Sequence, residues 1–331
     1  MGLAQITAGM YRNGNRLHLE DFKVVGLHKT YSASNLVTDS AAGATAFACG
    51  VKTYNGAIGV DPDTAAVTTL LEEAEAKGMA TGLAATSTIV HATPAAFIAH
   101  VKERHMYEDI ADWFLKNEVD LFVGGGLKYF TARKDGRNLV NELKDKGYIV
   151  RDWREGAFGS VTLDPSVNFG FFTAEGDPPR KLDGRDDYLI EVAEKAPAFL
   201  QTRSDKGFFL MIEGSQIDWG GHALDGEYIV SEMIEFDEAV GRAIEFAKKD
   251  GHTLVVVTAD HETGGFSINP GSTMDTTVAG FSSFYDKEHT KGAHTAVMVP
   301  VFAYGPGAEL FRGIYENTAI HDKIRQALGW E

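Results

Sequence analysis

The chain has 331 residues, 44% hydrophobic and 24% charged, which suits a folded protein with a sizeable core and excludes wholesale disorder. Its 31 basic and 47 acidic side chains leave a net charge of −16, which repels nucleic acid and anionic membrane surfaces at long range. No apolar run approaches the roughly 18 residues of a membrane-spanning helix, and a single cysteine, Cys49, excludes an internal disulfide.

In chain order, MGLAQITAGMYRNG reads as a turn running straight into a helix, where a domain of this composition usually offers a strand. Strands are expected at 80–86, 119–123, 207–212, 253–258 and 297–304, from short β-branched or apolar runs. Between them, apolar residues at 3–4 spacing predict helices over 64–77, 105–117, 187–202, 226–249 and 315–328. Strands alternating with helices imply an α/β fold, its central sheet mostly parallel with helices on both faces. The runs at 207–212 and 253–258 are apolar throughout, as buried parallel strands should be. Residues 154–187 and 264–293 break the rhythm and read as long surface insertions in a single domain.

In an open α/β sheet, ligands gather at the carboxyl ends of the strands. Glu213, Asp218 and His222 follow the 207–212 run, Asp260 and His261 follow 253–258, and His294 precedes the last strand. Asp218 and His222 have i, i+4 spacing, which puts them on one helix face. Imidazole with carboxylate and no thiolate is a donor set for catalytic zinc. Earlier, Asp39-Ser40 precedes an Ala-rich segment that should be helical. That is an ordinary N-cap, or a serine nucleophile at a helix N-terminus, where exposed amides favour phosphate. Serine needs activation, and with no G-x-S-x-G elbow or local Ser-His-Asp spacing, metal coordination is the available route. His91-Ala-Thr93-Pro94 reads as a helix start with Thr93 as cap. Arg104 is either a solvated charge or a fork for two phosphoryl oxygens.

T-D-S-A-A-x-A-T-A, H-A-T-P-A, the Arg that follows, E-G-x-x-I-D-x-x-x-H, T-A-D-H-x-T-G-G and G-x-H-T stand here in the order of the alkaline phosphatase family, which residues 1 to about 305 resemble. The resemblance implies an alkaline-phosphatase-like three-layer sandwich and a phosphate monoesterase with Ser40 as the nucleophile that becomes phosphoserine. It implies one zinc on Asp218, His222 and His294, a second on Asp260 and His261, and magnesium on Thr93 and Glu213. Arg104 would grip the phosphate with Asp39 orienting it, and His91 and Trp219 would stand just outside the metals, Trp219 as in certain marine and cold-adapted bacterial members. Small phosphate monoesters and inorganic phosphate are the implied partners, with homodimerisation and a periplasmic or secreted location.

One element of the pattern departs. Members resemble each other at a first strand ending in D-G-x-G, whose Asp bridges the second zinc and the magnesium site, and Met1-Gly2 matches only its end. The expectation is therefore an N-terminally truncated domain, with that strand and Asp upstream of Met1. Two alternatives stay open: a catalytically impaired fragment that binds metal and phosphate, or a related phosphodiesterase or sulfatase. A sulfatase would need C/S-x-P-x-R around the nucleophile, and Ser40 is followed by Ala-Ala.

Overall fold

The first half of the chain, in the computed structural model that describes residues 1–330, begins with α1 (Leu3–Arg12), β1 (Val24–Lys29), α2 (Ser40–Cys49) and α3 (Leu70–Ala76). Then come β2 (Ala80–Thr88), α4 (Ala92–Ala96), α5 (Tyr107–Lys116), β3 (Leu121–Gly125), α6 (Lys128–Thr131), α7 (Leu139–Asp145), β4 (Ile149–Asp152) and β5 (Phe169–Phe172). The second half holds α8 (Tyr188–Arg203), β6 (Phe208–Glu213), α9 (Gln216–His222), α10 (Gly226–Asp250), β7 (Val255–Val257) and β8 (Glu262–Thr263). It closes with β9 (Ser267–Ile268), β10 (Ala279–Gly280), β11 (His294–Thr295), β12 (Val299–Tyr304), β13 (Gly313–Glu316) and α11 (Ala319–Ala327).

Five strands form an all-parallel sheet in the order β4-β5-β3-β2-β6, and four more follow the order β13-β1-β12-β7, with β12 antiparallel to both neighbours. Helices cover both faces, giving the three-layer α/β sandwich that the sequence implies. β2, β3 and β5 are buried along their whole length, as strands covered on both sides must be. On one face Tyr188, Val192, Ala196 and Leu200 of α8 pack on Ala84, Leu121 and Phe171. On the other, Leu71, Ala95, Phe114 and Phe130 pack against Leu83 and Phe122. Gly170 in β5 is required there, because a Cβ would lie 2.2 Å from the Phe122 ring.

Four expectations are corrected. β7 is antiparallel to β12 rather than a buried parallel strand, and Val255 and Val256 are only half-buried. Residues 154–187 are not all surface insertion, since Phe169–Phe172 run between β3 and β4 in the sheet. The same segment is anchored further on by Arg185, buried in ion pairs with Glu232 and Glu235 of α10. The helix expected over 64–77 begins only at Leu70: Asp61 accepts from the amides of Asp63 and Ala65 in a local turn, and a capping box of Thr69 and Glu72 sets the start. The helix expected over 315–328 begins at Ala319, because Gly313–Glu316 pair with β1.

β6 and β7 are the facing edges of the two sheets, and among the described residues no strand lies between them. A slot of about 690 Å³ separates them, lined by Phe208, Leu210, Ile212, Phe236, Val255 and Val257. All six residues of β6 are only partly buried for this reason. The slot runs to Ser40, Asp218 and Asp260, where the Met1 ammonium donates to the His261 carbonyl at 2.6 Å. No helix is long and apolar enough to cross a membrane among the described residues.

Candidate active site

Asp39 shows that the capping and functional readings of the Asp39-Ser40 pair are compatible. It is the N-cap of α2: one carboxylate oxygen accepts from the Ala42 amide at 3.0 Å. The other accepts from the Gly56 amide and from Arg104 Nη1, each at 3.0 Å. Arg104 itself lies in the turn before α5 rather than on a helix, its side chain largely buried and held over the start of α2. Ser40, the first residue of α2, is buried at the helix N-terminus, where free amides and the dipole favour an anion. Gly43, on the next turn, is needed because a Cβ would sit 2.9 Å from Asp260 Cβ.

Asp218 and His222 share one face of α9, as their spacing predicts, and short β11 brings His294 beside them through its pairing with β8. His222 Nε2 lies 3.3 Å from Asp218 Oδ2 and 3.1 Å from His294 Nε2, and His294 Nε2 is 3.6 Å from Asp218 Oδ1. Each imidazole donates its other N–H to a carbonyl, His222 to Gly292 at 2.7 Å and His294 to Thr38 at 2.8 Å. Two imidazole lone pairs therefore face each other, an arrangement that calls for a cation between them. The three separations fit a tetrahedral metal at about 2.0–2.1 Å from nitrogen, whose ligand–ligand edges are on the order of 3.3 Å. The donor atoms of these three residues all lie within 4.8 Å of one another and form a metal-binding site.

The second group lies directly against the first. The His261 and His294 rings stack at 3.5 Å, and His261 Nε2 reaches both Asp260 Oδ2 and Ser40 Oγ at 3.1 Å. Burial pushes the His294 pKa down to about 4, with the His261 charge adding to it, so this imidazole is neutral near pH 7 and ready to ligate. Burial works against the Asp260 and Asp218 carboxylates, but the histidines beside them hold both well into the ionised range.

At the end of β6, Glu213 accepts a hydrogen bond from Ser215 Oγ at 2.6 Å and bonds Thr93. Burial pushes the Glu213 carboxyl up to about 7 against these two bonds, which marks a position where a cation would be welcome. Thr93 is not the cap of its helix. α4 starts at Ala92 with His91 at the N-cap and no side-chain cap bond, so the Thr93 hydroxyl is left for Glu213. His91 meets Trp219 edge-to-face at 5.9 Å, and its Nε2 is 3.5 Å from Arg104 Nη2. Its buried Nδ1 has no hydrogen-bond partner. All ten ligand and catalytic candidates thus converge, together with His91 and Trp219.

Three contributors escaped the sequence reading. Thr263 Oγ1 donates to Asp218 and lies 3.3 Å from His261 Nδ1, linking the Asp218–His222–His294 group to the Asp260–His261 pair. The Gly292 carbonyl fixes His222, and Tyr285 stacks on the same imidazole at 5.6 Å. The T-G-G that follows Asp260-His261-Glu262 was a visible signal for Thr263. Nothing local marks Gly292 and Tyr285, because they come from the segment read as an insertion.

A family model described as alkaline phosphatase matches residues 2–289. Alkaline phosphatase 3 of Bacillus subtilis is 38% identical over 93% of this chain and 81% of its own length. The alkaline phosphatase of Escherichia coli is 32% identical over 99% of this chain and 84% of its own. Among solved structures, the alkaline phosphatase from the Antarctic bacterium TAB5 is 43% identical with a TM-score of 0.90, covering 100% of this chain and 96% of that one. A cold-active alkaline phosphatase from a psychrophilic Shewanella is 32% identical with a TM-score of 0.83, covering 99% and 97%.

Proposed function

The chain belongs to the alkaline phosphatase family, and on that premise we propose that it hydrolyses phosphate monoesters through a phosphoserine formed at Ser40. As a member it is a metal-dependent phosphomonoesterase, and the finer assignments are our reading. Asp218, His222 and His294 would hold one zinc, Asp260 and His261 a second beside Ser40, and Thr93 and Glu213 a magnesium. Bound there, the ions supply Lewis acidity to phosphoryl oxygens and lower the pKa of water.

This chain's residues do the rest. Arg104, oriented by Asp39, takes two phosphoryl oxygens in its fork, and the α2 amides face the same group. Ser40 Oγ attacks phosphorus in line and gives its proton to water, while the ester P–O bond breaks and the leaving oxygen takes a proton from water to depart as the alcohol. Water then attacks phosphorus from the side the alcohol left, and Ser40 Oγ departs and recovers a proton, freeing inorganic phosphate. By the same likeness we take the protein to act as a homodimer outside the cytoplasm.

The observation that carries the reading is Ser40 Oγ, buried at a helix N-terminus 3.1 Å from His261, with Arg104 held over it by Asp39. Trapping labelled phosphate on the metal-loaded protein tests it. Label on the Ser40 peptide, lost in Ser40→Ala, is expected; turnover without it would remove the phosphoserine. One observation favours a second reading, a chain that binds metal and phosphate without turnover: the slot opens beside Asp260. A chromogenic monoester assay with zinc and magnesium added separates the two.

A further inference from the structure

Tyr285 is a large aromatic side chain at this site that remains 60% exposed. Its ring lies nearly parallel to His222, 21° between planes and 5.6 Å between centroids, and 6.3 Å from His294. The backbone holds it there: the Tyr285 amide donates to the Lys291 carbonyl at 2.9 Å, and Gly292, next along, accepts from His222. The phenol lies within electrostatic reach of Asp218, Arg104 and Asp39, so it spans from the metal triad toward the phosphate fork.

The placement matters because displacement at phosphorus is in line. With Ser40 attacking from the start of α2, the bond that breaks points away from Ser40, and the triad stands one stacked ring beyond His261, which Ser40 touches. Tyr285 overhangs that triad. A flat ring with two torsions, backed by an imidazole and 60% exposed, loses little freedom when it stacks on a second ring, and the flexible Lys291 side chain, whose Nζ lies 5.9 Å from the ring centroid, can swing aside.

We propose that Tyr285 is a specificity-determining residue whose exposed ring receives planar aromatic leaving groups, biasing the enzyme toward aryl over alkyl phosphate monoesters. The proposal rests on the monoesterase reading given above. It concerns recognition of the ester group alone.

Non-hydrolysable probes separate it from that reading. Dissociation constants of phenylphosphonate and methylphosphonate are measured by calorimetry on zinc- and magnesium-loaded protein, with zinc content checked in each variant. The wild type is expected to favour the phenyl probe. Tyr285→Ala is expected to shrink the phenyl-to-methyl preference by roughly 2–10-fold, the range of one aromatic pair, and Tyr285→Phe to retain it. An unchanged ratio in Tyr285→Ala, or an equal loss for both probes, would overturn the proposal, since a residue that only props His222 affects both alike. Should Tyr285→Ala fold poorly, Tyr285→Leu reads the same ratio with the volume kept. A protein that binds both phosphonates but traps no phosphoserine refutes the reaction while leaving this ratio measurable.

Discussion

The Asp39 carboxylate is shared between a helix and an arginine: one oxygen caps α2 at the Ala42 amide, and the other holds Arg104 Nη1 at 3.0 Å. The two duties separate by substitution. Asn is as good an N-cap as Asp but carries no charge to orient a guanidinium. Asp39→Asn is therefore expected to keep stability within a few tenths of a kcal/mol while weakening phosphate binding. Asp39→Ala is expected to lose the cap as well, about 0.5–2 kcal/mol. Urea melts and the inhibition constant for inorganic phosphate check both. Equal stability of the two variants would show that the cap contributes nothing.

Metal removal is expected to lower stability, because ions that bind only the folded chain stabilise it by mass action. At a free ion concentration 100 times the dissociation constant the effect is about 2.7 kcal/mol. Chelation should lower the melting temperature, and zinc should restore it. His222→Ala, which removes one arm of the Asp218–His222–His294 group, is expected to reduce zinc content and shrink that response. A melting temperature indifferent to chelator would argue against the site.

Much of this centre was legible because its residues sit at predictable places. Asp218 and His222 fall four apart on one helix, Asp260 and His261 follow an apolar run, and Asp39-Ser40 opens an Ala-rich helix. Their convergence was implied by family likeness, since no local pattern says that β11 pairs with β8 and sets the His294 ring on that of His261. Tyr285 and Gly292 were illegible for the same reason. In the fold, β1 and β13 were missed, since Val24–Lys29 and Gly313–Glu316 mix apolar with charged or small residues, β13 at the sheet edge and β1 beside it. Phe169–Phe172 was hidden by its flanks, rich in Gly, Pro and Asp. The antiparallel run of β7 cannot be read from an apolar segment, which looks alike in either direction.

Away from the site, His100 gives a pH-dependent contribution of defined sign. Its Nε2 lies 2.9 Å from Glu72, Nδ1 lies 2.6 Å from the Gly59 carbonyl, and the ring meets Trp113 edge-to-face at 4.8 Å. Burial lowers the His100 pKa, but the Glu72 and Gly59 hydrogen bonds outweigh it and the net shift is upward. A raised pKa means the folded state holds the proton more tightly than the unfolded chain, whose value is about 6.5. The stabilisation is complete below that value and is lost as pH rises through the higher folded one. The stability gap between wild type and His100→Gln is therefore expected to be widest near pH 5.5, and to narrow at higher pH. A hydrogen bond to a charged group suggests about 1.5–3 kcal/mol at its widest. Denaturant melts at several pH values measure it, and a gap that grows with pH would contradict the assignment.

β6 and β7 turn unpaired edges toward one slot, walled by Phe208, Leu210, Ile212, Val255 and Val257. An extended strand placed in it would hydrogen-bond on both sides and join the two sheets into one. β6 runs toward Glu213, and Met1 lines the slot at that same end. An apolar strand added ahead of Met1 would thus lie parallel to β6 and finish beside Asp260. Each apolar side chain buried there is worth about 1.5–3 kcal/mol. A chain extended at Met1 by six alternating Val and Ile residues is therefore expected to melt several degrees higher than the 331-residue chain. It is also expected to bind less of an apolar fluorescent dye. An extension with Ser at the same six positions keeps the length without the burial and should leave both measurements near their starting values. Equal melting of the Val/Ile and Ser forms would show that the slot does not take a strand.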